Sequence, residues 1–418
     1  MIIQKMLGNG IRIVMEKIPA VQSVSMGIWV KAGSTDENEN NAGISHLIEH
    51  MLFKGTEKRS AKKIAEDVDR IGGHINAFTG KELTCYYIKT LDTNVEQACE
   101  ILIDMFMGST FNPEELVKEK DVILEEIKMI EDSPEDDAHD LVSEIVFKGT
   151  PLESSIIGTP NSLKAITRKM IMEYIGKEYT TDSIVISVAG NFDTDNIFAI
   201  FNGKLTGLNS SKDKKKKPIP IYTPDYKVKV KDVEQSHLCL GVKGVMQEDD
   251  SYFPMVILNN ITGGSMSSRL FQNIREEKGL AYSVYSVSQS YVADGIFSIY
   301  AGIGHNKIDK TLVAIANELK LLAKEGITRE ELQTAKEQLK SGYVFSQENV
   351  NSRMFSIGKN TLLLSRVLTP KEIIEKIDNV TMEDLYQITQ RITDIKQYSG
   401  VLITNQEYNL HNSIKRFI

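Results

Sequence analysis

Near the midpoint of this 418-residue chain the sequence runs LNSSKDKKKKPIPIYTP, from Leu208 to Pro224, and the stretches on either side read alike. A polar segment, four consecutive lysines and three prolines make a solvated linker. The first half opens with strand-like IRIVMEKI and an alternating run from Val24 to Lys31; an acidic turn from Ser34 to Asn41 and an amphipathic helix follow. The second opens with YKVKVKDV and the run His237 to Lys243, then an acidic turn and an apolar helix from about Tyr252. Each half ends in a strand, Ser183 to Ala189 in one and Gln397 to Ile403 in the other. Strand pairs followed by runs of helices predict an α+β fold with mostly antiparallel sheet, not the alternation of a parallel fold. The expected division is 1–208, a hinge at 209–224, and 225–418, with duplication as its economical origin.

Composition removes several function classes. The net charge is −8, against the basic balance of a nucleic-acid binder, and no aromatic or glycine-rich partner accompanies the lysine run, which reads as a charged hinge. Cys85, Cys99 and Cys239 are odd in number and lack C-x-x-C spacing, which predicts no disulfide framework and a reducing, cytoplasmic setting. No apolar run is long enough to span a bilayer, and Met1 to Gly10 reads as a strand entering a turn rather than a signal peptide.

Residues 43–56 read GISHLIEHMLFKGT. Ile44, Leu47, Ile48, Met51 and Leu52 supply the apolar positions of a helix. His46 and His50 stand four apart and project from one face. Two imidazoles on one helical turn provide half of a tetrahedral zinc site. Glu49, between them, can take a proton from an attacking water. The pattern H-x-x-E-H is the inverted form of the commoner H-E-x-x-H.

A catalytic zinc needs a third protein ligand. The segment Pro113 to Asp132 is expected to be a helix with a charged face of Lys118, Asp121, Glu125, Lys128 and Asp132, and an opposing stripe of Val122, Ile123, Ile127 and Ile130. Glu119 and Glu126 sit among the apolar residues, seven apart and two turns along one side. Isolated carboxylates are costly there unless paired or bound to a cation. Glu126 is therefore the better candidate ligand, Glu125 the better solvent residue, and Glu119 a carboxylate orienting a ligand histidine or tuning the bound water.

With these residues in place, the sequence resembles the pitrilysin and mitochondrial-processing-peptidase family of inverted zincins, over essentially the whole chain. The family takes its third ligand from a glutamate at about this remove, and Glu126 lies 76 residues after His50. The resemblance implies His46, His50 and Glu126 as ligands of one Zn2+ per chain, Glu49 as general base and Glu119 as supporting carboxylate. The stretch GGHINAFTGKELTCYYIKTL from Gly72 resembles the family's strand pair whose exposed edge aligns a peptide. An edge strand binds extended substrate through its main chain, and Asn76, Ala77 and Phe78 are the candidates for those contacts. In the second half, GGSMSSRLFQNIREEKGLAYSVYS from Gly263 resembles a segment in which an arginine and a tyrosine seven apart bind substrate and stabilise the oxyanion, here Arg275 and Tyr282. Taken alone, Arg275 belongs to a solvated, charged helix end.

The second half has no H-x-x-E-H, so it is expected to close over the site without metal, the two halves enclosing a chamber. The two-domain length resembles the bacterial branch that dimerises, which implies a homodimer. The expected activity is a zinc metalloendopeptidase acting on unfolded peptides or presequence-like segments. The alternative is a non-catalytic, peptide-binding subunit of a processing complex. The acidic run EDSPEDD, Glu131 to Asp137, either favours basic substrates or is a solvated helix end.

Overall fold

The computed structural model describes residues 2–210 and 221–417. The lysine run of the expected hinge lies outside the described residues. Two compact units emerge, one from residues 2–127, 154–210 and 345–368, the other from 128–153, 221–344 and 369–417. Among the described residues no helix is long and apolar enough to cross a membrane.

The first unit holds six strands: β1 (Ile2–Met6), β2 (Arg12–Lys17), β3 (Ser23–Val30), β4 (His74–Thr79), β5 (Thr84–Leu91) and β6 (Ile184–Gly190). They are ordered β1-β2-β6-β3-β5-β4, antiparallel except for β2 beside β6. The second unit holds β7 (Tyr226–Val230), β8 (Ser236–Lys243), β9 (Ala281–Ser290), β10 (Gly295–Ile303) and β11 (Ser399–Thr404). Their order is β7-β11-β8-β10-β9, again with one parallel pair, β7 beside β11. Apart from β1, the two sheets have the same topology, so the likeness of the halves in sequence is a likeness of fold.

In each sheet the last strand of the unit is inserted near the centre. Every residue of β6 and of β11 is buried, as expected of strands covered on both faces. By contrast β4 alternates exposed and half-buried positions and closes one edge.

The sequence-based division is contiguous, whereas the packing exchanges one helix each way. The helix Pro134–Val146 lies against β8 and β11 of the second unit, where Ala138, Val142 and Val146 share a core with Cys239, Tyr300, Val401 and Ile403. The helix Val350–Leu364 lies against β2, β3 and β6 of the first unit. There Arg353 Nη1 pairs with Glu16 at 2.9 Å. Trp29, 1% exposed, hydrogen-bonds Ser187 Oγ through Nε1 at 2.7 Å and meets Phe355 edge-on, the ring centroids being 5.9 Å apart. Gly358 makes this approach possible, since a Cβ there would stand 2.2 Å from Trp29 Nε1. Apolar faces of both sheets need a cover, and hydrophobicity alone does not say which helix supplies it.

Three acids of the run Glu131 to Asp137 have partners in the second unit, while Glu131, Asp132 and Asp136 stay exposed. Asp132 pairs with Lys231 at 3.1 Å, Asp137 with Lys229 at 2.5 Å, and Glu135 accepts from Tyr285 Oη at 2.5 Å. The run anchors the exchanged helix within the second unit.

Candidate metal centre

The histidine helix spans Ile44–Leu52 and buries Ile44, Leu47, Ile48, Met51 and Leu52. Its N-terminus is held by Glu37, whose carboxylate accepts from Gly43 N at 2.6 Å and Ser45 N at 2.8 Å. This satisfies amides that an α-helix leaves unpaired, with a charge of the sign its dipole favours. Burial pushes the Glu37 carboxyl up to about 7, opposed by those same bonds. Gly43, at φ +88°, precedes the helix where a Cβ would meet Ile157 O at 2.5 Å. Backbone and cap together fix where the helix begins, and so where its histidines point.

His46 and His50 stack edge-on with ring centroids 4.7 Å apart. The helix Pro113–Asp132 brings Glu126 to them: its Oε2 lies 3.8 Å from His46 Nε2 and 3.6 Å from His50 Nε2. One donor atom from each of the three residues falls within 4.8 Å of the others. Ligands about 2.0–2.2 Å from a tetrahedral zinc stand roughly 3.3 Å apart, so the donors are spaced to converge on one ion. The donor types, two imidazoles and one carboxylate, are those of a zinc site with an open position. Burial, then the neighbouring His50, lowers the His46 pKa to about 4, which keeps that imidazole in the neutral form a metal binds. Its Nδ1 is buried without a hydrogen-bond partner among the described residues.

Around the three donors lies a charged second layer. Glu119, 4% exposed, accepts from His50 Nδ1 at 3.1 Å and pairs with Lys54 Nζ at 2.6 Å. A carboxylate on the far nitrogen of a ligand histidine sets its tautomer and orientation. Glu49 lies beside His50 and accepts a hydrogen bond from Thr79 Oγ1. Burial is the largest influence on Glu49 and raises its pKa, with the Thr79 bond opposing.

The helix Pro113–Asp132 buries Leu116, Glu119, Ile123 and Ile127. Val122, expected in that stripe, is 44% exposed. It lies one residue, about 100° of helix, from Ile123, which carries it off the buried face. Glu125 is exposed and Glu126 half-buried.

On β4 the main chain alternates direction. Gly80 N bonds Leu83 O toward β5, whereas Ala77 N is taken by the Asn76 carboxamide at 2.8 Å. The main chains of Ile75, Ala77 and Thr79 therefore face the open edge. The Asn76 main chain is turned toward β5, opposite Tyr87, and that of Ala77 toward the open edge. Phe78 is 37% exposed and packs edge-on against Trp29, Tyr87 and Phe355.

Arg275 and Tyr282 belong to the second unit. Arg275 sits in a π-helical turn, Phe271–Glu277, and Tyr282, 75% exposed, near the start of β9. The guanidinium lies 4.7 Å from the Phe271 ring centroid and 5.8 Å from that of Tyr282, so the two expected substrate residues are neighbours. The remaining histidines have structural partners where these are seen: His139 with Tyr285, His237 with Tyr300 and His305 with Ser236. The three cysteines are buried and free.

Sequence reasoning missed Glu37, Lys54 and Thr79. Glu37 was visible only as part of an acidic turn, and Thr79 only as an alternating strand position. Nothing local in the sequence ties either to the helix it serves.

Comparison with known proteins gives a consistent answer. Residues 12–160 match the model of insulinase (peptidase family M16), and residues 165–339 that of the peptidase M16 inactive domain. The chain is 44% identical over 392 residues to an uncharacterized zinc protease, YmxG, of Bacillus subtilis, covering 92% of this chain and 94% of that one. It is 37% identical to an uncharacterized zinc protease of Rickettsia bellii, over 96% and 97% of the two chains. A protease from Helicobacter pylori shares the fold with a TM-score of 0.87 at 21% identity, over 97% of this chain and 99% of that one. The chain, with the His46, His50 and Glu126 cluster on the segment that matches the insulinase model, belongs to peptidase family M16.

Proposed function

We propose that this chain is a zinc metalloendopeptidase that hydrolyses unfolded or presequence-like peptides bound as an added strand along β4. The observation that carries the reading is the convergence of His46, His50 and Glu126 with Glu49 beside them. The relatives named zinc proteases support the choice of metal. His46, His50 and Glu126 would hold the zinc, which would supply a water of pKa about 7 and Lewis-acid polarisation of the scissile carbonyl. Glu49 takes the proton from the attacking water and returns it to the leaving amine. Its burial-raised pKa suits a base that must also act as an acid. Ala77 offers its main chain to the peptide, which makes recognition one of extended shape more than of side-chain sequence. Arg275 and Tyr282 are assigned to substrate and oxyanion binding on the chemistry of a guanidinium and a phenol.

Glu49→Gln is expected to keep one zinc per chain and lose about 100-fold or more of chelator-sensitive cleavage of an unstructured basic peptide. A zinc-replete, fully active variant would sink the base role. A wild-type protein that binds this peptide but never cleaves it would favour the non-catalytic subunit. A cytoplasmic homodimer is the proposed form, and native mass measurement with metal content checks it.

A further inference from the structure

We propose that Thr79 positions the general base, so that the strand edge which receives the peptide also holds the group that activates the water. The inference rests on the peptidase reading and adds to it a residue and a coupling.

Thr79 is the last residue of β4, and the histidine helix lies against this strand. Its main chain faces the open edge, like that of Ala77, while its hydroxyl is donated to Glu49 Oε2. One residue therefore has its backbone where a peptide strand would add and its side chain on the base. Glu49 is half-buried and has three rotatable side-chain bonds, so without a donor it has several ways to turn. A threonine is stiff at χ1 because two heavy atoms crowd its Cβ. The direction of its hydroxyl thus follows the strand backbone. A peptide pairing with β4 would hold that backbone, and through Thr79 it would hold the carboxylate.

A bland role exists for the same contact: Thr79 could merely satisfy a half-buried carboxylate. Then its loss would lower stability without a selective effect on turnover. Misplacing a reacting group by about 1 Å can cost on the order of 100-fold in rate, so positioning has a distinct signature.

The test uses Thr79→Val, which keeps the shape and removes the donor, and Thr79→Ser, which keeps the donor and loosens it. Turnover and KM are measured on an unstructured fluorogenic peptide. Zinc content is measured on each protein, and peptide affinity is compared between Glu49→Gln and the Glu49→Gln, Thr79→Val double variant. We expect Thr79→Val to lose roughly 10–100-fold in kcat with KM, zinc content and peptide affinity unchanged, and Thr79→Ser to recover most of it. Wild-type kcat in Thr79→Val, or no recovery in Thr79→Ser, overturns the positioning role. A loss that follows zinc content or peptide affinity also overturns it. Should Thr79→Val fold poorly, Thr79→Ala takes its place: a kcat loss at unchanged KM and zinc content that Thr79→Ser recovers supports the role, and wild-type kcat in Thr79→Ala overturns it. These failures leave the peptidase reading intact if Glu49→Gln is inactive; a fully active Glu49→Gln removes both.

Discussion

Glu119 is nearly sealed from solvent, yet it meets a lysine on one oxygen and a histidine on the other. Lys54 balances its charge, which leaves the carboxylate free to accept from His50 Nδ1 and hold the ring with Nε2 toward Glu126. Glu119→Gln is expected to fold and to weaken zinc binding by about 10–100-fold, read by competition with a chelator of known affinity. Affinity within twofold of the parent would show that Glu119 does not orient the ligand. The acids of the ligand helix were legible in the sequence because they interrupted an apolar face, a conflict that needs a resolution. Lys54 was not legible, because a lysine following a buried helix is ordinary until its partner, 65 residues on, is known.

At the scale of elements, the histidine helix depends on a cap from outside itself. Glu37 has a carboxyl pushed up to about 7 by burial, so the folded protein holds that proton more tightly than the unfolded chain does. Its stabilising contribution is fully present below pH 4.5 and is lost as pH rises through about 7. Glu37→Gln cannot titrate. Gln can accept on one oxygen only, which costs a fixed amount at every pH, but its stability relative to the parent should rise from pH 5 to pH 8 by on the order of 1–3 kcal/mol, in denaturant unfolding of the zinc-loaded proteins. Identical pH dependence in the two would show that Glu37 stays ionised throughout. Element types were largely readable: the 20-residue helix Pro113–Asp132 appears with the bounds its pattern implied, and the strand pair after Gly72 follows its alternation. The cap was not readable, because capping by a side chain several residues upstream follows no fixed spacing.

For the whole molecule, the consequential event is the exchange of helices between the units. The helix Val350–Leu364 completes the first unit although it lies far along the second half of the chain. Gly358→Ala would drive a methyl into Trp29 and Ser187. Overpacking of this kind costs about 1–3 kcal/mol, which should lower Tm. Trp29 is the only tryptophan of the chain, so its emission should shift to the red if the helix lifts off. Unchanged emission and Tm would mean that the helix shifts to accept the methyl. The same exchange explains why EDSPEDD could not be interpreted from its charge: its lysine and tyrosine partners, in or next to β7 and on β9, lie 92 to 150 residues away.

By itself the sequence determined the α+β class, the likeness of the halves, and a pair of histidines with an acid between them. These are properties of local periodicity and spacing, which act through a few residues of backbone. The tertiary structure alone decided which helix covers which sheet, which lysine meets Glu119, that Ala77 and not Asn76 turns its main chain to the open edge, and that Thr79 reaches Glu49. Each of those depends on contacts between segments distant along the chain, where geometry is set by packing and no local pattern records it.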